Sequence, residues 1–236
     1  MFTVALLGLD GAGKTSVAQN LLETFPAPIK YLYMNYHIPS SNVALPTSRL
    51  IYFIKWKRYQ RRHRHSKTPL PQALPVHEPE YRADKGGHLA SVGRLLHRLS
   101  EECFRQIVAW SYLRQGYIVL FDRHFLFQAA LPTGNKRKQW LADRFHIWFL
   151  EQVYPRPDLV IFLDAPPKVL FERKQEGSLD FLTKRRAKYL EQGQRVSNFI
   201  RVDASQPLDK VLKDVSGHIK TFPSSKVKQS NGEISV

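Results

Sequence analysis

Apolar residues along this chain follow two alternating patterns, and the alternation sets the fold class. Short, largely apolar runs occur at Phe2–Leu7, Ile29–Met34, Tyr117–Phe121, Leu159–Leu163 and Asn198–Val202. Runs of this length and character predict strands buried on both faces. Between them lie stretches with apolar residues at three- and four-residue steps. These predict helices over Thr15–Phe25, Leu89–Gly116, Gln139–Val153, Pro166–Gln175, Ser178–Gln192 and near Leu208–Ile219. In the longest, Leu95, Leu96, Leu99, Cys103, Ile107 and Trp110 form the expected inward face. Gly116 is a natural stop for it, and Pro155 and Pro157 close the helix over Gln139–Val153. Strands alternating with helices predict an α/β fold, a five-stranded parallel sheet with helices on both faces. Ligands of such sheets sit at the carboxyl ends of the strands. The residues just after Leu7, Met34, Phe121, Leu163 and Val202 are therefore the candidates for chemistry.

Length and composition narrow the picture further. The 236 residues fit one domain able to bury a core unaided. A single cysteine, Cys103, excludes an intrachain disulfide and a four-thiolate zinc site. No apolar run reaches bilayer length, the longest being pieces such as Leu50–Ile54. The first residues, MFTVALLGLDG, lack a basic region and a cleavage site and read as a strand, so a cytoplasmic location is expected. The 36 Lys and Arg residues against 20 Asp and Glu leave a net charge of +16, which favours anionic partners.

The first strand runs into Gly8-Leu9-Asp10-Gly11-Ala12-Gly13-Lys14-Thr15, which fits G-x-x-x-x-G-K-[ST] and opens a helix. Glycines there let backbone N–H groups converge on phosphate oxygens, and the helix start adds its positive end. Gly8, Gly11, Ala12, Gly13, Lys14, Thr15 and Ser16 are the expected ATP-binding set. Lys14 is expected at the β- and γ-phosphates, and the Thr15 hydroxyl on Mg²⁺. At the tip of another buried strand stand Asp122, Arg123 and His124. Asp122 is expected to orient Mg²⁺ or its waters, and Arg123 to hold an anionic acceptor or neutralise a phosphoryl group in transfer.

Four segments together resemble the thymidylate kinase family of P-loop nucleoside-monophosphate kinases. GLDGAGKTS is similar to that family's phosphate loop, with an aspartate between its glycines. GYIVLFDRH is similar to its G-x-x-V-x-x-D-R-[YH] segment, PDLVIFLDAPPKVLFERK to its fourth strand, double proline and following helix, and FIRVDASQPLDKV to its last strand and adenine-side loop. The resemblance implies a P-loop NTPase fold and an enzyme using Mg²⁺ and ATP. It implies that Asp10 faces the acceptor, that Asp122 and Arg123 stand at Mg²⁺ and the acceptor phosphate, and that Arg173 enters a mobile lid. Lys14, Asp122, Arg123 and Arg173 are thus the expected catalytic residues, with Thr15 and Asp122 on the metal. Basic residues following the lid correspond loosely to Lys184, Arg185 and Arg186. The chain also departs from the family. The Arg-Glu-Pro segment due after the second strand is absent. His77-Glu78-Pro79 is a displaced echo of it. The family's acceptor-binding arginine aligns near Glu101, with Arg98 and Arg105 about one turn away on either side as acceptor candidates.

The resulting expectation is one kinase domain over 1–221, with an acceptor-side region at 38–79, a lid at 173–186 and a disordered tail at 222–236. Its reaction would move the γ-phosphoryl group of Mg·ATP to a small acceptor such as dTMP. The alternatives are a different acceptor (nucleoside, sugar or lipid-linked compound) or a nucleotide-binding regulator without kinase activity. The stretch Arg49–Lys67 carries eight Lys/Arg, two His and no acid. It reads as a solvated insertion, an acceptor lid or a contact with acidic membrane. Specific nucleic-acid binding is not expected, for no recognition-module motif accompanies it. A second copy of the chain completes the set of partners considered.

Overall fold

The computed structural model describes residues 1–35, 38–62, 88–129, 141–175 and 177–232. Five strands form one parallel sheet: β1 (Thr3–Gly8), β2 (Ile29–Tyr33), β3 (Ile118–Asp122), β4 (Leu159–Asp164) and β5 (Phe199–Asp203), in the order β2-β3-β1-β4-β5. Every residue of β1, β3 and β4 is buried, as uninterrupted apolar runs require, while the edge strands β2 and β5 are partly open.

The helices are α1 (Lys14–Thr24), α2 (Pro46–Arg62), α3 (His88–Arg114), α4 (Phe125–Ala129), α5 (Leu141–Gln152), α6 (Pro167–Lys174), α7 (Leu179–Gly193) and α8 (Leu208–Gly232). From β1 the chain crosses to the β2 edge, then returns through β3 toward β5. Right-handed crossovers therefore send α1 to one face and α3 and α5 to the other. In accord, α1 packs with α8, and α3 with α5. The winding reverses beside β1, so its carboxyl end opens into a crevice. Among the described residues no helix is long and apolar enough to cross a membrane.

Two expectations need correction. The stripe Leu96, Cys103, Ile107 and Trp110 of α3 does not face the core. Leu96 is 59% and Ile107 58% exposed, and Cys103 and Trp110 are exposed too. The buried residues are Ser91, Glu101, Glu102, Arg105, Gln106 and Ala109, largely polar because each charged one meets a partner: Arg105 donates to carbonyls beyond β2, Glu101 accepts from the start of α2, and Glu102 pairs with His146. The tail expected to be disordered from 222 starts as ordered chain. Helix α8 runs on to Gly232 through Pro223, and Phe222 is buried with its ring 5.0 Å from that of Phe2. The His77-Glu78-Pro79 segment and the end of the basic stretch beyond Arg62 lie outside the described residues.

Candidate active site

The loop between β1 and α1 is shaped by glycine. Gly13, with φ of 82°, precedes α1 without any side-chain cap, leaving the first amides of the helix directed at the crevice. Gly11 has φ of 87°, and a Cβ on it would stand 3.0 Å from the Leu170 carbonyl oxygen of α6. The loop and α6 are thus in close contact. Lys14 curls back over the loop: its Nζ donates to the Leu9 carbonyl at 2.8 Å and lies 3.8 Å from Asp10 Oδ1. Burial, reinforced by the charge of Arg123, pulls the Lys14 pKa down to about 8. Thr15 and Ser16 are exposed at the mouth.

Asp10 forms an ion pair with Arg123. Burial opposes the Asp10 charge, but Arg123, Lys14 and Lys174 outweigh it and hold the carboxyl below its usual range. Arg123 itself sits at φ 61°, a left-handed conformation that costs a non-glycine residue about 1–2 kcal/mol. Its backbone N–H still reaches the Leu6 carbonyl of β1, and its side chain crosses to the phosphate loop. Backbone strain of this kind collects at functional sites.

Asp122 is only 2% exposed. Its Oδ2 accepts a 2.7 Å hydrogen bond from the Tyr31 hydroxyl, while Oδ1 is buried with no hydrogen-bond partner among the described residues. Parallel pairing sets Asp122 opposite Leu6 on one side and Tyr33 on the other, which brings the ends of β1, β2 and β3 together. A buried carboxylate oxygen with an open coordination position fits a hard cation, and the exposed Thr15 hydroxyl is a second oxygen donor. The next residue, His124, has a different character. Its ring lies fully buried among Phe121, Phe127 and Tyr154, and burial pulls its pKa down to about 3. It is a neutral core side chain.

The remaining candidates are more dispersed. Arg105 is fully buried; it donates to Glu101 and to the Tyr33 and Asn35 carbonyls, clamping the backbone that leaves β2. Arg98 instead pairs with Asp143 of α5 at 3.3 Å. Arg173 donates to the Ala204 and Ser205 carbonyls of the loop after β5. Arg186 binds both oxygens of Asp164, at 2.6 and 2.8 Å, and Arg201 joins at 2.7 Å. Burial disfavours the charge of Asp164, yet these two arginines hold its carboxyl below the usual range. Lys184 pairs with Asp180 in solvent, and Arg185 stacks on Phe181. Sequence reasoning missed Tyr31 and Lys174, and it marked Asp164 only as the residue after a buried strand. Asp164 ends a buried strand just as Asp122 does, but its pairing with Arg186 and Arg201 depends on packing that the local sequence does not encode.

A profile of the family described as thymidylate kinase matches residues 101–215, from within α3 to α8. A probable thymidylate kinase of Staphylothermus marinus is 27% identical over 227 residues, covering 91% of this chain and 92% of that protein. That likeness extends over nine-tenths of both chains. The chain is thus similar to the thymidylate kinase family. A probable thymidylate kinase of Archaeoglobus fulgidus is 32% identical over 126 residues, half of this chain, and the chain spans 61% of that relative's length. The family profile covers Asp122, Arg123, Asp164, Arg173 and Arg186, whereas the phosphate loop lies before it. The parallel α/β sheet is the fold expected of a thymidylate kinase family member.

Proposed function

We propose that this chain is an ATP-dependent phosphotransferase that moves the γ-phosphoryl group of Mg·ATP to a nucleoside monophosphate, dTMP in the first instance. The observation that carries the reading is the convergence of Lys14, Asp10, Arg123 and Asp122 at the ends of β1 and β3. The names of the two relatives support it.

Each group has a physical role in such a transfer. The amides after Gly13 and the Lys14 ammonium would hold the β- and γ-phosphates. Lys14 now bonds Leu9, so it must swing from that carbonyl to the phosphate. Arg123 would bind the acceptor phosphate, with Asp10 steadying its guanidinium from the loop. Thr15 and Asp122 would hold Mg²⁺, which when bound supplies charge neutralisation on phosphate oxygens. Arg186, now held on Asp164, and Arg173 are cations that closure of the 173–186 segment would bring toward the transferring group. In this scheme Arg105 shapes the acceptor side through the backbone it clamps.

A second reading keeps the chemistry and changes the acceptor to another small phosphorylated or hydroxylated compound. The absence of the Arg-Glu-Pro segment after β2 favours it. The exposed stripe Leu96, Cys103, Ile107 and Trp110 is the surface we assign to a second copy of the chain, and the cytoplasm is the proposed setting. The test of function is ADP release measured with dTMP, other nucleotides, nucleosides and sugars. Release dependent on dTMP supports the first reading, and release dependent on another acceptor supports the second. Release without any acceptor, or ATP binding alone, overturns both in favour of a nucleotide-binding regulator.

A further inference from the structure

Helix α2 carries six Lys or Arg residues and no acid between Pro46 and Arg62. It is fixed to the domain at its start: the Leu45 N–H and Ser48 hydroxyl donate to Glu101 Oε2 of α3, and Arg49 donates to the Asn42 carbonyl. Beyond that turn, Leu50, Phe53, Ile54, Lys57, Arg58 and Arg61 follow one another at three- and four-residue steps and share one face. All six are exposed; Leu50 is 57% and Phe53 51% open to solvent. The stripe is sorted along its length, apolar near the domain and cationic toward Arg61. Lys57 Nζ lies 4.6 Å from the centre of the Phe53 ring, where the two halves meet. The opposite face differs. Tyr52, Trp56 and Tyr59 are half-buried, with Trp56 and Tyr59 stacked at 5.9 Å.

We infer that this face of α2 is a docking surface for an anionic lipid bilayer. The occupant follows from charge and shape together. A helix without acids is complementary to a surface of negative headgroups, each nearby Lys or Arg strengthening binding roughly fivefold. Leu50, Phe53 and Ile54 would enter the boundary between headgroups and acyl chains, as the apolar face of an interfacial helix does. A nucleic acid would use the cations but leave Leu50 and Ile54 in water, and Tyr52, Trp56 and Tyr59, three of the helix's four aromatic rings, are turned to the other face. Because α2 starts just after β2 and is tied to α3, docking would set the acceptor edge of the sheet against the membrane. The inference does not depend on which acceptor is phosphorylated.

Sedimentation of the full chain with vesicles tests it. Binding is expected to vesicles containing phosphatidylserine and not to phosphatidylcholine alone, and to weaken as salt rises. Lys57→Gln, Arg58→Gln and Arg61→Gln should each lower affinity roughly fivefold. Leu50→Ser with Phe53→Ser and Ile54→Ser should abolish binding at unchanged net charge, with the melting temperature and ADP release in solution unaltered. Absence of binding to anionic vesicles overturns the inference. So does vesicle binding that survives the three serine changes. A lower melting temperature for that triple variant also overturns it, because the stripe would then be covered by the chain's own residues. Finally, an oligonucleotide that binds the triple serine variant as well as the parent, and displaces vesicles, would replace the lipid with nucleic acid.

Discussion

Tyr31→Phe deletes one oxygen and tests how Asp122 is held. The Tyr31 hydroxyl donates to Asp122 Oδ2 at 2.7 Å, and Oδ1 already lacks a partner among the described residues. Removing the hydroxyl leaves a carboxylate that is 2% exposed with neither oxygen bonded to a side chain. A hydrogen bond to a charged group contributes about 1.5–3 kcal/mol. Tyr31 is half-buried, so water can enter in place of its hydroxyl, and the low end, about 1.5 kcal/mol, applies. For a chain of this size that loss lowers the melting temperature by roughly 3–6 °C. Burial and the nearby Asp122 charge raise the Tyr31 pKa, so the hydroxyl remains a donor throughout the working range. If the bond also aims Oδ1 at the metal, kcat should fall about tenfold while the KM for ATP changes little, since about 1.4 kcal/mol corresponds to that factor. The Mg²⁺ concentration for half-maximal rate should rise, and Mn²⁺ affinity in the presence of an ATP analogue, read by electron paramagnetic resonance, should fall. Paired with Asp122→Asn, the change should be strongly non-additive. A Tyr31→Phe protein with the melting temperature, kcat and Mn²⁺ affinity of the parent would refute the positioning argument.

Two further predictions rest on other observations. Lys14 has its pKa lowered to about 8 from 10.5, so between these values the unfolded chain holds the extra proton and the stability of the free protein should rise with pH, a slope that Lys14→Met removes in thermal denaturation. ATP binding near pH 8.5 should accordingly take up a proton, seen by calorimetry in buffers of different ionisation enthalpy and lost in Lys14→Met. Leu96→Glu with Ile107→Glu should leave the melting temperature of the monomer nearly unchanged, because both side chains are exposed, but abolish any concentration-dependent dimer in sedimentation.

The sheet was readable because its central strands are buried on both faces, and that condition writes itself into the sequence as unbroken apolar runs such as Val119–Phe121 and Val160–Leu163. The phosphate loop was readable because its conformation is local, and Gly11 and Gly13 take positive φ within the motif itself. Asp122 and Arg123 could be placed as strand-end residues, though not the bond across the sheet to Tyr31. That contact depends on β2 pairing with β3, and no local pattern encodes which strand is the neighbour. The inward face of α3 was misread for a stronger physical reason. Periodicity assumes that apolar residues point inward, but α3 packs where the backbone leaves β2. Arg105 there satisfies the Tyr33 and Asn35 carbonyls, and Glu101 holds the start of α2. Hydrogen-bond demand at that junction outweighs the apolar stripe, which is left at the surface.

The placement of β2 at the sheet's edge separates two kinds of change that the molecule can undergo. In the proposed scheme the donor groups hang on β1, whose neighbours on both sides lock it into the core, so alterations there propagate through the whole sheet. In the same scheme part of the acceptor side lies along β2, a strand with one neighbour and partly open side chains, followed by the turn Ile38–Ser40 and α2. Diversity introduced at the half-buried Tyr33 and Asn35 therefore meets little resistance from packing, provided Arg105 keeps its two carbonyls. Under the proposed function, the architecture favours drift in what would be phosphorylated over drift in what would donate the phosphate, and a library confined to that edge is the natural starting point for retargeting it.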